Sequence, residues 1–203
     1  GREVCGSVQL REALNLILRI GNYINHGTQE PEGAVRGFAM ESLESVSCFR
    51  VGSLTALHIL CLCMRRFKPD FMGELRESLV HLREAAREKT AALRASVEAY
   101  GREAAFTRRE LGVLEASPAE QGKLRALAEE LDREEERLTE EFGRASDFGG
   151  ELQRYLCVAG KDAAAPLESL FGRMAVFLDS VESAWWDMER RPAPRDARPS
   201  PVR

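Results

Sequence analysis

Apolar residues recur at helical spacing along most of the chain. From Gln9 to Asn25 the positions Leu10, Leu14, Ile17, Leu18, Ile20 and Ile24 predict one buried helix, with His26-Gly27 as its glycine stop. "GTQEPEGAVRG" is predicted as a loop and "FAMESLESV" as a short apolar turn. A second buried helix is predicted from about Ser53, as N-cap, through Leu57, Leu60, Met64 and Phe67, ending at Pro69. From Met72 the apolar positions Leu75, Leu79, Leu82, Ala86, Leu93, Val97, Tyr100, Ala104, Leu111 and Leu114 step mostly by four and three. That spacing predicts one long coiled-coil-like helix. "EASPAEQ" interrupts it, because Ser117 can cap a new helix and Pro118 suits its first position.

The partner helix carries Leu124, Leu127, Leu131, Leu138, Phe142, Ala145, Phe148, Leu152 and Tyr155, and a tight break between two long helices implies antiparallel packing as a hairpin over about residues 72–156. After "CVAGKDAAAP", a wide stripe of Leu167, Leu170, Phe171, Met174, Phe177, Leu178, Val181, Trp185 and Met188 predicts a last amphipathic helix. Residues 191–203, proline-rich and basic, have little to bury and are expected to be disordered. No strand of convincing length and no repeat of fixed period is visible. The fold class is all-α, an elongated helical bundle with a long antiparallel coiled-coil-like helix hairpin.

Composition narrows the function. With 203 residues, 44% of them hydrophobic and 31% charged, the chain can bury a core. A net charge of -4 gives no reason to expect a nucleic-acid partner, although arginine greatly outnumbers the four lysines Lys68, Lys89, Lys123 and Lys161. Cys5, Cys48, Cys61, Cys63 and Cys157 form no CxxC pair and have no histidines at zinc-ligand spacing, so they fit a reducing compartment and call for no metal. The apolar run around Cys61 is shorter than the about 20 residues a bilayer requires, so the expected setting is the cytoplasm. A first residue Gly1 in place of methionine suggests a segment of a longer chain.

One stretch conflicts with simple packing. "ILRIGNYINHG" places Gly21, Asn22 and Asn25 in the closing turns of the first buried helix, where aliphatics would pack better. Leu14, Leu18, Gly21 and Asn25 are predicted to share a stripe. A mid-helix glycine costs about 1 kcal/mol relative to alanine, which implies a need for close approach. The missing side chain leaves a notch bordered by carboxamides, which both donate and accept hydrogen bonds and can hold an extended backbone. A plainer reading stands beside it, in which Asn25-His26-Gly27 ends the helix and Gly21 serves a helix crossing in the core.

"LILRIGNYINHGT", followed by "GFAMESL" and then "LTALH", resembles the second half of the formin homology-2 domain. The hairpin and the ending "LQRYLCVAGKDAAAPLESLFGRMAVFLDSVESAW" are similar to that family in order and spacing, so residues 1–190 would be the C-terminal part of such a domain. The resemblance implies a head-to-tail homodimer that nucleates actin filaments and stays on their barbed ends. It also implies that Gly21, Asn22, Tyr23, Asn25 and Gly27 receive an aromatic-bearing lasso from the second subunit, and that Arg36, Gly37 and Phe38 contact actin. Ala39 stands where the family usually has lysine, and "VSCFRVG" replaces an acid-base stretch, which leaves a dimerising coiled-coil scaffold without actin activity as the alternative.

Little else points to chemistry. His26, His58 and His81 are widely separated, no nucleophile motif or phosphate-binding glycine loop occurs, and neither a cofactor nor catalysis is expected. "EELDREEERLTEE" reads as a solvated helix face with internal ion pairs.

Overall fold

The computed structural model describes residues 1–27, 37, 39–40, 42–113, 117–156, 158 and 165–190. They form α1 (Arg2–Gly6), α2 (Val8–His26), α3 (Ser42–Cys48), a strand pair β1 (Arg50–Val51) and β2 (Leu54–Thr55), α4 (Ala56–Phe67), α5 (Phe71–Ser78), α6 (Leu82–Ala85), α7 (Thr90–Val113), α8 (Pro118–Tyr155) and α9 (Leu167–Arg190). The expected tail, 191–203, lies outside the described residues. The chain divides into two compact units, one of Arg2–Arg83 with Gly172–Arg203 and one built on Glu84–Phe171.

The first unit holds the larger core. α2 contributes Leu10, Ala13 and Ile17, α4 contributes Leu57, Leu60, Cys61 and Met64, α5 contributes Phe71, Met72 and Leu75, and α9 contributes Leu178, Val181 and Trp185, all buried. Phe71 and Trp185 rings lie 6.2 Å apart and tilted, and each fully buried large side chain contributes about 1.5–3 kcal/mol relative to exposure. Ser7 begins α2, its Oγ accepting from the Leu10 N–H at 3.0 Å while lying 2.7 Å from Ser78 Oγ. The Arg83 guanidinium donates to Asp179 at 2.6 Å and reaches Glu182 at 3.1 Å, joining α6 to α9 at the surface. These acids raise the Arg83 pKa, the hydrogen bond to Asp179 foremost.

Two predicted boundaries move. Ser53 does not cap α4. It lies in the turn between the antiparallel β1 and β2, where Gly52 takes a φ of +63° that favours glycine, and Thr55 caps instead. The ring of His58 completes this cap. Its Nδ1 accepts from the Thr55 N–H at 3.2 Å and lies 2.7 Å from Thr55 Oγ1, leaving Nε2–H to donate to Asp187 at 2.9 Å.

The long helix predicted from Met72 is interrupted instead of continuous. α5 stops at Ser78, α6 is a single turn, and α7 starts only at Thr90. Leu75, Leu79 and Leu82, assigned by spacing to a coiled-coil seam, are at most 3% exposed in the core of the first unit. Steps of four and three are equally met by short helices turned about a core, and Ser78 Oγ marks the break by donating to the Leu75 carbonyl.

In the second unit α7 and α8 are paired. Arg94 lies over the Phe142 ring at 5.5 Å, Gly101 faces Glu135, and Arg108 bonds Asp132 and Glu135, so the partners descend along α8 as they ascend along α7 and the helices run antiparallel. Ser117 and Glu120 close a capping box ahead of α8, and the Ser117 hydrogen bonds hold the Glu120 carboxyl below its usual range. The pair has a single thin interface. Ala104 is buried on it, whereas Leu93, Leu127 and Tyr155, all predicted on the seam, are 46%, 43% and 49% exposed.

Cys61 is 1% exposed and its thiol is pushed up to about 12 by burial, while Cys48 is exposed. Brief iodoacetamide treatment of the native protein is expected to label Cys48 and leave Cys61 unmodified until denaturant is added, as read by peptide mass mapping. Labelling of Cys61 in the folded state would contradict this packing.

Candidate functional site

The inner face of α2 changes character along its length. Leu10, Ala13 and Ile17 are buried, but one turn later the same face leaves the core. There Ile17, Ile20, Gly21, Ile24 and Asn25 form one wall of an open cleft, and Ser42, Ser45, Val46 and Phe49 with Ala56 form the other. Its volume is about 220 Å³. Apolar cavities of about 150 Å³ hold a benzene ring, so this one has room for a larger aromatic group.

The electrostatics are simple, since none of the described lining residues carries charge. The Asn25 carboxamide and the Ser42 and Ser45 hydroxyls supply the side-chain hydrogen-bonding groups around a slot of isoleucine, valine and phenylalanine. Ile24 and Phe49 are 39% and 43% exposed, a large apolar area left to solvent. Among the described residues a Cβ built on Gly21 would meet no atom within 4 Å, so no described helix crosses against this glycine and the notch is open toward them.

Not all the predicted residues gather here. Gly21 and Asn25 line the cleft; Asn22 is half-buried, Tyr23 is 61% exposed, and neither is among the lining residues. Leu14 and Leu18, predicted on the Gly21 stripe, are replaced by Ile17, Ile20 and Ile24, because the cleft continues the core-facing side of α2. Gly27 ends the helix at φ +76° and ψ -150°, its N–H donating to the Tyr23 carbonyl at 2.8 Å. Gly37 is exposed, as is Ala39, while Arg36 and Phe38 lie outside the described residues. Sequence reasoning missed the α3 wall. Its signal was the spacing of Leu43, Val46 and Phe49 in three-residue steps, with Leu43 buried beneath.

Histidine chemistry is structural here. His58 caps α4, and His81 Nδ1 lies 2.5 Å from Glu3. Burial alone would raise the Glu3 carboxyl, but hydrogen bonds from His81 outweigh it and hold it below its usual range. Among the described residues no three metal-ligating side chains converge, and no helix is long and apolar enough to cross a membrane.

The sequence model of the Formin Homology 2 Domain matches residues 2–182. This chain belongs to the formin homology 2 domain family. It is 25% identical to Formin-like protein 3 of Oryza sativa subsp. japonica over 187 residues, 90% of this chain and 15% of that protein. It is 29% identical to Formin-like protein 14 of Arabidopsis thaliana over 181 residues, 87% of this chain and 14% of that protein. Human Disheveled-associated activator of morphogenesis 2 is 32% identical over 99 residues, 47% of this chain and 9% of that protein. The chain thus spans about one seventh of the length of the formin-like relatives. The match includes both walls of the cleft, so the open notch sits inside the formin homology 2 domain.

The two glycines of α2 separate by physical role. Gly21→Ala is expected to raise stability by about 0.5–1 kcal/mol, since the methyl meets open space and helix propensity improves. Gly27→Ala is expected to cost about 1–3 kcal/mol, because its backbone region is nearly glycine-only. Urea unfolding of both variants checks the contrast, and equal effects would contradict it.

Proposed function

We propose that this chain is the C-terminal part, post and coiled-coil hairpin, of a formin-type factor that promotes actin filament nucleation and barbed-end elongation as a homodimer. The cleft on α2 would receive an aromatic side chain from the lasso of the second subunit, with Gly21 as its floor and Asn25 beside it. Asn22, Tyr23 and Gly27 would hold the flanking lasso backbone or the helix end that presents the cleft. Arg36, Gly37 and Phe38 are the proposed actin contacts. The activity is one of binding and assembly in the cytoplasm, at the cytoskeleton, and needs no cofactor.

The observation that carries this reading is Gly21. A mid-helix glycine lowers stability by about 1 kcal/mol, and among the described residues no atom occupies the space that its missing side chain leaves. Such a cost is understandable where a guest fills the space in the working assembly. Burying a tryptophan there would contribute about 3 kcal/mol, and aromatic anchors in pockets dominate interface energetics.

A second reading has its own motive. Ala39 is exposed and stands where the family usually carries a lysine, and segment 46–52 departs from the family pattern. A dimerising scaffold that has lost actin assembly activity would keep the cleft and tolerate both changes.

The full-length protein separates these readings. Gly21→Leu is expected to convert dimer to monomer in light scattering while leaving helicity by circular dichroism nearly unchanged. A surviving dimer would remove the cleft from the interface. In pyrene-actin assays, acceleration by the unmodified protein at nanomolar concentration supports the actin reading. No effect on nucleation or end growth supports the scaffold.

A further inference from the structure

α4 has two apolar sides. Leu57, Leu60, Cys61 and Met64 are buried in the core, as an amphipathic helix requires. The opposite side should be polar, yet Ile59, Leu62, Cys63, Arg66 and Phe67 recur there at steps of three and one. Leu62 is 39% exposed and Phe67 78%, while Ile59 and Cys63 are half-buried. Among these five, Arg66 is the sole charged residue.

The charge carried by α4 itself has one sign. No aspartate or glutamate occurs from Ala56 to Lys68, and the cations are Arg65, Arg66 and Lys68. Arg65 lies over the Trp185 ring, 5.8 Å from its centroid, and Lys68 is paired with Glu12 at 2.5 Å. On α2, Glu12, Leu16, Arg19 and Tyr23 follow one another at helical spacing, so the Glu12–Lys68 pair joins this second stripe to the end of the first. Arg19 and Arg66 are exposed, and among the described residues no acid is recorded against either.

We propose that this face of α4, with Arg19 of α2 beside it, is a docking surface for an acidic amphipathic helix of a partner protein. Aliphatic side chains of the incoming helix would cover Leu62 and Phe67, and carboxylates on its flanks would meet Arg66 and Arg19. Charge complementarity selects this occupant, since a basic helix would face uncompensated cations. The surface is separate from the cleft described above. Ala56 lines that cleft and Phe67 ends the same helix about 16 Å away.

Two fluorescein-labelled helical peptides with the same leucine stripe, one flanked by glutamates and the other by lysines, test the proposal by fluorescence anisotropy with the full-length protein. The glutamate peptide is expected to bind saturably and more weakly as salt is raised, with the lysine peptide at least about tenfold weaker. Phe67→Ser and Arg66→Glu are each expected to raise the Kd for the glutamate peptide about tenfold or more. Val80→Ser, which removes another exposed apolar group, should leave that Kd unchanged, as should Gly21→Leu, so failure here is distinct from failure of the cleft reading. Equal binding of the two peptides, no binding of either, or full binding by both Phe67→Ser and Arg66→Glu would overturn the proposal.

Discussion

The first unit depends on the packing of α2 along one side only. Leu10, Ala13 and Ile17 anchor the first half of the helix in a core shared with α4, α5 and α9, and this burial holds its last turns in place although they are not themselves buried. A helix supported from one end can present its free end as a rigid wall. That is why the cleft needs little contribution from its own lining. Ile20, Gly21 and Ile24 are positioned by side chains one and two turns earlier, and Gly27 stops the helix before the wall becomes longer.

The same logic explains why the opposing wall is slight. α3 has seven residues and is tied down by buried Leu43, while Val46 and Phe49 turn toward α2. Between the walls, among the described residues, lies apolar surface with no charge and few hydrogen-bonding groups. Such surface favours an apolar guest with one or two polar atoms, and it gives a charged guest no partner for its desolvated charge.

The second unit works by different physics. A two-helix pair has one seam, and here it buries little beyond Ala104. Its register comes instead from specific contacts: Arg94 over Phe142, Gly101 against Glu135, Arg108 between Asp132 and Glu135. Gly149 matters in the same way, since a Cβ there would collide with the Leu167 side chain. Thr90, whose hydroxyl donates to Glu168 at 2.8 Å, ties the start of α7 to the first turn of α9. Exposed pairs of this kind add little stability individually but define which residues face each other.

Period and punctuation alone determined four of the helices. The 3.6-residue recurrence located α2, α4, α8 and α9, Pro118 and Ser117 marked the start of α8, and Gly27 marked the end of α2, because caps and breakers act within a few residues. The oddity of Gly21 was also legible, since a glycine among aliphatics is a local violation. Tertiary structure decided what local pattern leaves degenerate. Steps of four and three describe a long coiled coil and a folded-back set of short helices equally well, and only the burial of Leu75, Leu79 and Leu82 chose between them. The face of α2 that bears the cleft, and its second wall from α3, likewise depended on which residues met across about 20 or more positions of chain. No spacing within one helix encodes that meeting, because it is the competition for a shared core that sets it.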